Sequence, residues 1–428
     1  MNGIQQDSKG LRAFAPVLAL LTIAILINYI DRGNLSVAAP LLKDELLISA
    51  SQLGMLFTAF FCTYTAFIFV SGWLVDRFNV NLVIAVGYAV WSLATAATGL
   101  VNGFAMLFLM RLLLGVGESV AFPSCSMILA RHLPEGYRGF ANGLIAAGMK
   151  CGPAVGTLGA GLLMAKYGWR VVFLGIGLAS LVWLPAWMKW MPSSPVSEHQ
   201  IRQDGPRVAD ILRQQSFWGA TLGHFCSNYI FYFMVTWLPF YLVHERSLSM
   251  QSMAKTAGVY YLFDAASAFA TGWAADFCIH RGRSVTVVRK SAMALGNSIL
   301  AIGLAGCALA GPHTYLAWLM LVGLGMGMSG AGVFAFCQTL AGPQAAGRWA
   351  GLQNGFANLA GILSPAVAGF LADRTGHFTM PLIITAVLAS IGALGWTVVV
   401  GTLREVDWTF PRQASEQVLY AAEQGGPT

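Results

Sequence analysis

Gly72-Trp73-Leu74-Val75-Asp76-Arg77 stands where a long apolar run gives way to polar residues, and Gly272-Trp273-Ala274-Ala275-Asp276 closes another such run 200 positions later. One match of this length is weak, but others follow in order. Asn28-Tyr29 returns at the same offset as Asn228-Tyr229. Further along, Gly139-x-x-Asn142-Gly143 and Pro153-Ala154-Val155 return 212 positions on as Gly351-x-x-Asn354-Gly355 and Pro365-Ala366-Val367. The ordered recurrences predict a duplicated unit. Residues 1–191 and 216–403 are its two copies, 192–215 an exposed linker rich in proline and charge, and 404–428 a polar, disordered tail.

Composition says what the unit is made of. Of the 428 residues, 57% are hydrophobic and 10% charged. A soluble domain carries roughly 25% charge, so most side chains here must face lipid or other helices. Runs such as Phe14–Tyr29, Leu82–Val101, Val171–Met188 and Met380–Val400 approach the ~20 residues that cross a ~30 Å hydrocarbon core as helix. Period-two alternation is absent, which argues against a barrel. The expected fold is an all-α membrane protein with twelve transmembrane helices in two pseudo-symmetric six-helix bundles. Its spans fall near 14–38, 52–75, 82–100, 104–130, 139–166, 169–190, 216–243, 252–279, 288–310, 314–340, 347–372 and 379–402. The first run is long and lacks a small-residue cleavage pattern, so it reads as a span rather than a signal peptide. The seven cysteines lie in or at the ends of spans with no C-x-x-C spacing, which makes them small apolar fillers.

Charge sets the orientation. Sixteen of the 25 lysines and arginines fall on the side carrying both termini and the linker, and six fall on the other. The positive-inside rule places the first side in the cytoplasm, with a bacterial inner membrane as the expected location. This distribution accounts for the net charge of +7 without invoking nucleic acid. The remaining three bases, Arg32, Arg111 and Lys150, fall within spans.

On these motifs the chain resembles the major facilitator superfamily over nearly its whole length. Gly72-Trp73-Leu74-Val75-Asp76-Arg77 is similar to that family's signature between spans 2 and 3, although Phe78-Asn79-Val80-Asn81 replaces the usual basic residues. The resemblance implies gating roles for Asp76, Arg77 and the recurrent Asp276. Asn28-Tyr29-Ile30-Asp31-Arg32, Arg111 to Glu118, and Phe122-Pro123-Ser124 resemble the anion:cation symporter branch. That branch includes bacterial hexuronate, galactonate and glucarate carriers and the animal sialic-acid and glutamate carriers. It implies proton-driven uptake of an organic carboxylate. The expected partners are the substrate anion, protons and membrane lipid, with no nucleic acid and no enzyme activity, in a monomer working by alternating access. Parallel six-helix halves with a midplane site that rock about it are a known transporter architecture.

Ionisable residues inside a span are costly and mark function by default. Asp31, Arg32, Arg111, Glu118, Lys150 and Asp264 qualify, and five of the six lie in the first half. Arg111 and Glu118 are seven apart, close to two helical turns, so they share a face. Asp31 and Arg32 point about 100° apart, so one can face a cavity and the other a neighbouring helix. Desolvation raises a carboxylate's pKa and a nearby arginine lowers it. Protonating such a carboxylate releases the arginine for an anionic substrate. Asp31 and Glu118 are therefore the candidate proton sites. Arg32 is the candidate carboxylate ligand, because guanidinium offers a bidentate fork, and Arg111 is a charge partner within the site. The alternative is a static ion-pair lattice tying spans 1 and 4.

Lys150 precedes Gly152-Pro153 in span 5, where a kink is expected, and departs from the neutral residue common in the related carriers. It points to a substrate with more than one negative group or a more acidic one, or else it snorkels or pairs with Glu118 or Asp264. Tyr64 matches a binding tyrosine of the related carriers, and Asp264 holds the equivalent position in the second half. Tyr232, Asn354 and Asn358 are neutral substrate-binding candidates, and the two asparagines are stacked four apart. For each of these, helix packing is an equal alternative. His224, Asn228 and Tyr229 run along span 7, with His224 read as structural.

Two other readings compete. Gly139-x8-Gly148-x3-Gly152-Pro153-x2-Gly156 is close to the span-5 motif of drug:proton antiporters, with Thr157 in place of its last glycine. The competing reading is a proton-linked antiporter that exports a drug or exchanges organic anions. Against the first of these, an exporter of hydrophobic cations gains nothing from three bases in its cavity. A membrane enzyme or a non-transporting sensor is the remote alternative. The sequence shows no H-E-x-x-H, no cysteine–histidine ligand cluster and no large soluble domain, so no metal or cofactor is expected.

Overall fold

The computed structural model describes residues 2–133, 135–191, 206–311, 313–330 and 332–408, with side chains from Phe14 onward except at 76, 130, 135–140, 334, 343, 344, 346 and 347. Ten segments among the described residues are long and apolar enough to cross a bilayer. The first four are span 1 (Phe14–Leu46), span 2 (Ala50–Val75), span 3 (Val80–Thr98) and span 4 (Phe104–Leu129). The fifth, Ala141–Trp190, is 50 residues long. It breaks at Gly168, whose φ of 76° is one that glycine adopts without a Cβ clash. The break divides it into span 5 (141–167) and span 6 (169–190). The rest are span 7 (Gln215–Glu245), span 9 (Val285–Leu309), span 10 (Tyr315–Gly342), span 11 (Arg348–Thr375) and span 12 (Thr379–Val399). Span 8 (Met250–His280) is helical for 31 residues but carries too many polar groups to stand out by apolarity. With it and the divided segment, the crossings number twelve.

Span 1 packs on span 5, span 7 on span 11, and span 9 on span 10. Three seams join the halves: span 1 with span 7, span 2 with span 11, and span 5 with span 8. Spans 1 and 7 meet where the Ser36 hydroxyl donates to the Thr236 carbonyl at 2.8 Å, residues 200 positions apart and therefore repeat equivalents. The other two seams rely on missing side chains. A Cβ on Gly54 would lie 2.7 Å from the Pro365 carbonyl oxygen, and one on Gly161 would lie 2.6 Å from the Ala254 Cβ. Small residues let helix backbones meet this closely.

The buried core is not shared evenly. One apolar cluster runs through both halves on the face away from the linker, taking in Leu42, Phe57, Met164, Trp237, Met253 and Phe378. On the linker face the core divides. One cluster there is built chiefly from the first half around Trp91 and Trp187, and a separate one belongs to the second half around Trp349 and Trp396. The halves are thus fused on the far face and parted on the linker face.

Three expectations need adjustment. The linker is exposed in prospect, but its described end is folded down: Val208–Leu212 forms a short helix and Ile211 is fully buried. Residues 192–205 lie outside the described residues. The tail likewise begins ordered. The Val406 N–H donates to the Leu340 carbonyl at 3.0 Å and the Trp408 indole to the Ala341 carbonyl at 2.9 Å; 409–428 lie outside the described residues. Finally, the backbone stays helical through Pro153; the one non-helical residue in Glu135–Ser180 is Gly168.

Candidate functional site

A cavity of about 310 Å³ lies between the halves. Its lining comes from the middle and linker-side portions of the spans: Tyr64 and Ile68 in span 2, Phe122 in span 4, Val333 in span 10 and Asn354 in span 11. The far-face portions of the same spans are sealed by the shared core. The opening therefore faces the linker side.

Arg32 sits at the inner end of this cavity. It is 6% exposed, and its Nε donates to Glu118 Oε2 at 2.8 Å. Its guanidinium carbon lies 4.4 Å from the Tyr64 ring centroid, 4.7 Å from Tyr29 and 5.3 Å from Phe60. A flat cation stacked on ring faces gains from their quadrupoles. The Nη2 atom is buried and finds no hydrogen-bond partner among the described residues, so the fork has a spare donor. Glu118 is fully buried and does not line the cavity. Arginine faces the substrate space and its carboxylate stands behind it.

Asp31 and Arg111 are placed differently. Asp31 is turned away from the cavity, as the helical twist allows, and accepts from Asn34 Nδ2 at 3.1 Å. Arg111 lies 4.9 Å from the Phe60 ring and borders a separate void of about 10 Å³ above Arg32. Arg32 touches both spaces. The two arginines and two carboxylates thus form one buried group between spans 1 and 4, of which Arg32 alone reaches the main cavity.

Lys150 and Asp264 meet from opposite halves, with Nζ 3.6 Å from Oδ2. Both line the cavity. The pairing is one of the options that the sequence leaves open for Lys150, although no spacing argument singles it out. The signal available was an acidic residue in mid-span at the position equivalent to Tyr64. On the remaining wall, the Tyr232 hydroxyl donates to Asn358 Oδ1 at 2.6 Å, and Asn358 Nδ2 donates to the Asn354 carbonyl at 2.9 Å. His224 also borders the cavity and is hydrogen-bonded to Gln353 at 3.2 Å.

The expected gating residues lie apart from the cavity. Arg77 and Asp276 are exposed on the linker face and make no ion pair among the described residues. The side chain of Asp76 lies outside the described residues. A second carboxylate that joins the halves, besides Asp264, is Asp373 at the end of span 11, which was not among the expected site residues. It accepts from the backbone N–H of Ala50 at 2.9 Å and of Ser51 at 2.7 Å. Its signal in the sequence was only an acidic residue beside the outer end of a span.

Comparison with known proteins gives this architecture its relatives. The Major Facilitator Superfamily model matches residues 21–365. A hexuronate transporter of Bacillus subtilis (strain 168) is 30% identical, covering 89% of this chain and 93% of the relative. A probable sulfoacetate transporter of Cupriavidus necator is 29% identical over 88% and 92%, respectively. A probable galactarate/D-glucarate transporter of Bacillus subtilis is 26% identical over 94% and 95%. Among solved structures, a bacterial homologue of the human lysosomal transporter Spinster, inward-facing and occupied, superposes with a TM-score of 0.78. It is 18% identical and covers 90% of this chain and 96% of its own, a likeness of fold. The family match begins inside span 1 and ends inside span 11, taking in both halves of the repeat and the cavity between them, so the chain belongs to the Major Facilitator Superfamily, whose members are membrane transporters rather than enzymes.

Proposed function

We propose that this protein carries a small organic anion, a sugar acid or similar carboxylate, across the bacterial inner membrane together with protons. The observation that carries the reading is Arg32: a buried guanidinium with a spare donor, facing the cavity while Glu118 neutralises it from behind. A buried pair of this kind is costly to break by removing one partner. Replacing the carboxylate's charge with a substrate carboxylate is far less costly. Glu118 takes a proton, Arg32 turns its fork to the anion, and the net charge of the site is unchanged. Asp31, one step behind in the same buried group, is the second proton site. Tyr64, Tyr232, Asn354 and Asn358 offer hydroxyls and amides to a polyhydroxy substrate. Three relatives are named for the transport of hexuronate, sulfoacetate and galactarate or glucarate, all small organic acids.

A cavity of about 310 Å³ is at the small end of the ~300–1,000 Å³ range of small-molecule pockets. The linker face, with sixteen of the bases, lies in the cytoplasm, which makes this the inward-open state of an alternating-access carrier. The test is uptake into proteoliposomes with an imposed pH gradient. Glu118→Gln is expected to abolish accumulation driven by the gradient while retaining exchange of labelled for unlabelled substrate. Gradient-driven accumulation that persists in Glu118→Gln removes Glu118 from coupling. Strict exchange in the wild type, with no net uptake, would instead support an antiporter.

A further inference from the structure

The cavity holds two cations, each backed by a carboxylate, and the two pairs differ in tightness. Arg32–Glu118 is a hydrogen-bonded contact at 2.8 Å with the carboxylate outside the cavity. Lys150–Asp264 is loose: 3.6 Å is well beyond the ~2.7–2.9 Å of a charge-assisted hydrogen bond. Both members have capacity to spare. The ammonium has three donors, and Asp264 Oδ1 is buried with no partner among the described residues although the residue is 5% exposed. A second anionic group in the cavity would find the lysine held weakly by its counter-ion.

Position adds a second argument. The seam between spans 5 and 8 brings Gly161 against Ala254, Leu158 against Gly258 and, nearer the linker side, Lys150 against Asp264. This last pair joins the first half to the second, whereas Arg32 and Glu118 both belong to the first.

We propose that Lys150 and Asp264 form a second anion subsite, at which a second acidic group of the cargo takes the ammonium from Asp264, so that the cavity selects dianions over monoanions of the same length. This rests on the reading that the cavity takes an organic anion. One acidic end lies at Arg32 and the other at Lys150, with Tyr232 and Asn354 facing the hydroxyls between. Substrate then replaces a contact between the halves with one that runs through itself.

The test compares ligands matched in length that differ in one acidic group: glucarate against gluconate, and succinate against butyrate. Binding to the purified protein is read from thermal shift, since ligand raises apparent stability by mass action, and from competition for uptake. In the wild type, at least one dianion is expected to bind tenfold or more tightly than its partner, the factor for one charged hydrogen bond. Lys150→Gln is expected to bring that ratio close to one. Asp264→Asn, which removes the competing carboxylate, is expected to shift the ratio the other way, further toward the dianion. Opposite effects of the two variants separate a subsite from a structural pair, which would lose stability in both without changing the ratio. A preference that survives Lys150→Gln, or no preference for any dianion in the wild type, overturns the proposal while leaving the anion-carrier reading intact. No binding by any member of the panel, monoanions included, overturns both.

Discussion

Arg32 is held by a carboxylate on one edge and by the rings of Tyr29, Tyr64 and Phe60 around its plane. Both restraints use properties that lysine lacks: a planar fork and a delocalised charge that stacks. Arg32→Lys keeps the charge and loses the geometry. It is expected to raise the KM for anion uptake by tenfold or more in proteoliposomes while the purified protein stays folded; an unchanged KM would take Arg32 out of the substrate site. Much of this group was legible residue by residue, because ionisable side chains in spans are few and helical spacing orients them. Which carboxylate pairs with which arginine was not. The seven-residue spacing places Arg111 and Glu118 on one face, yet Glu118 reaches across to Arg32, while Arg111 rests on Phe60. Lys150 and Asp264 lie on helices of different halves, so no spacing rule relates them, and their 3.6 Å contact exists only once the halves pack.

At the scale of the helix, the far-face closure has a charged fastening in addition to the neutral Ser36–Thr236 hydrogen bond. Span 2 begins with a capping box: Ser49 accepts from the Gln52 N–H at 3.1 Å, and Gln52 accepts from the Ser49 N–H at 2.8 Å. That leaves the N–H groups of Ala50 and Ser51 for Asp373 of span 11. A carboxylate on a helix N-terminus gains from the macrodipole as well as from its hydrogen bonds. Asp373→Asn loses the charge and one of the two acceptors, at about 1–3 kcal/mol. The far face is then expected to open more often. With Leu53, which is fully buried there, replaced by cysteine in a background without the seven native cysteines, a membrane-impermeant maleimide added from the far side should react severalfold faster in Asp373→Asn. Equal rates would show that the remaining contacts close this face without the Asp373 charge. The helices were legible from hydropathy read against the polar breaks, span 8 included although apolarity alone does not single it out, and even the break at Gly168 falls where the expected spans 139–166 and 169–190 meet. The docked start of the tail was not, since Trp408 is polar-flanked in sequence and buries itself only against Trp349 and the Ala341 carbonyl.

For the whole molecule, the repeat sets the topology, and packing sets which face is shut. Backbone-shaping residues recur between the halves, whereas Phe231 and Tyr232 stand where the first half has Asp31 and Arg32. The duplication is therefore a scaffold for an asymmetric site, and no count of spans reveals the state in which that site is caught. The shared apolar cluster on the far face and the divided clusters on the linker face define that state here. If alternating access is the mechanism, the far-face seams must come apart once per cycle. Leu158 and Gly258 offer a direct check, because a Cβ on Gly258 would lie 3.1 Å from the Leu158 Cβ, within a small adjustment of the ~3.5–4.5 Å that a disulfide spans. Cysteines at both positions, in the same cysteine-free background, are expected to cross-link readily under oxidation. The cross-linked protein should lose uptake and recover it on reduction, yet still bind anion with near wild-type affinity, because the cavity on the linker side is untouched. Uptake that continues with the seam between spans 5 and 8 covalently closed would mean that the halves do not separate there, and the cavity would need another route to the far side.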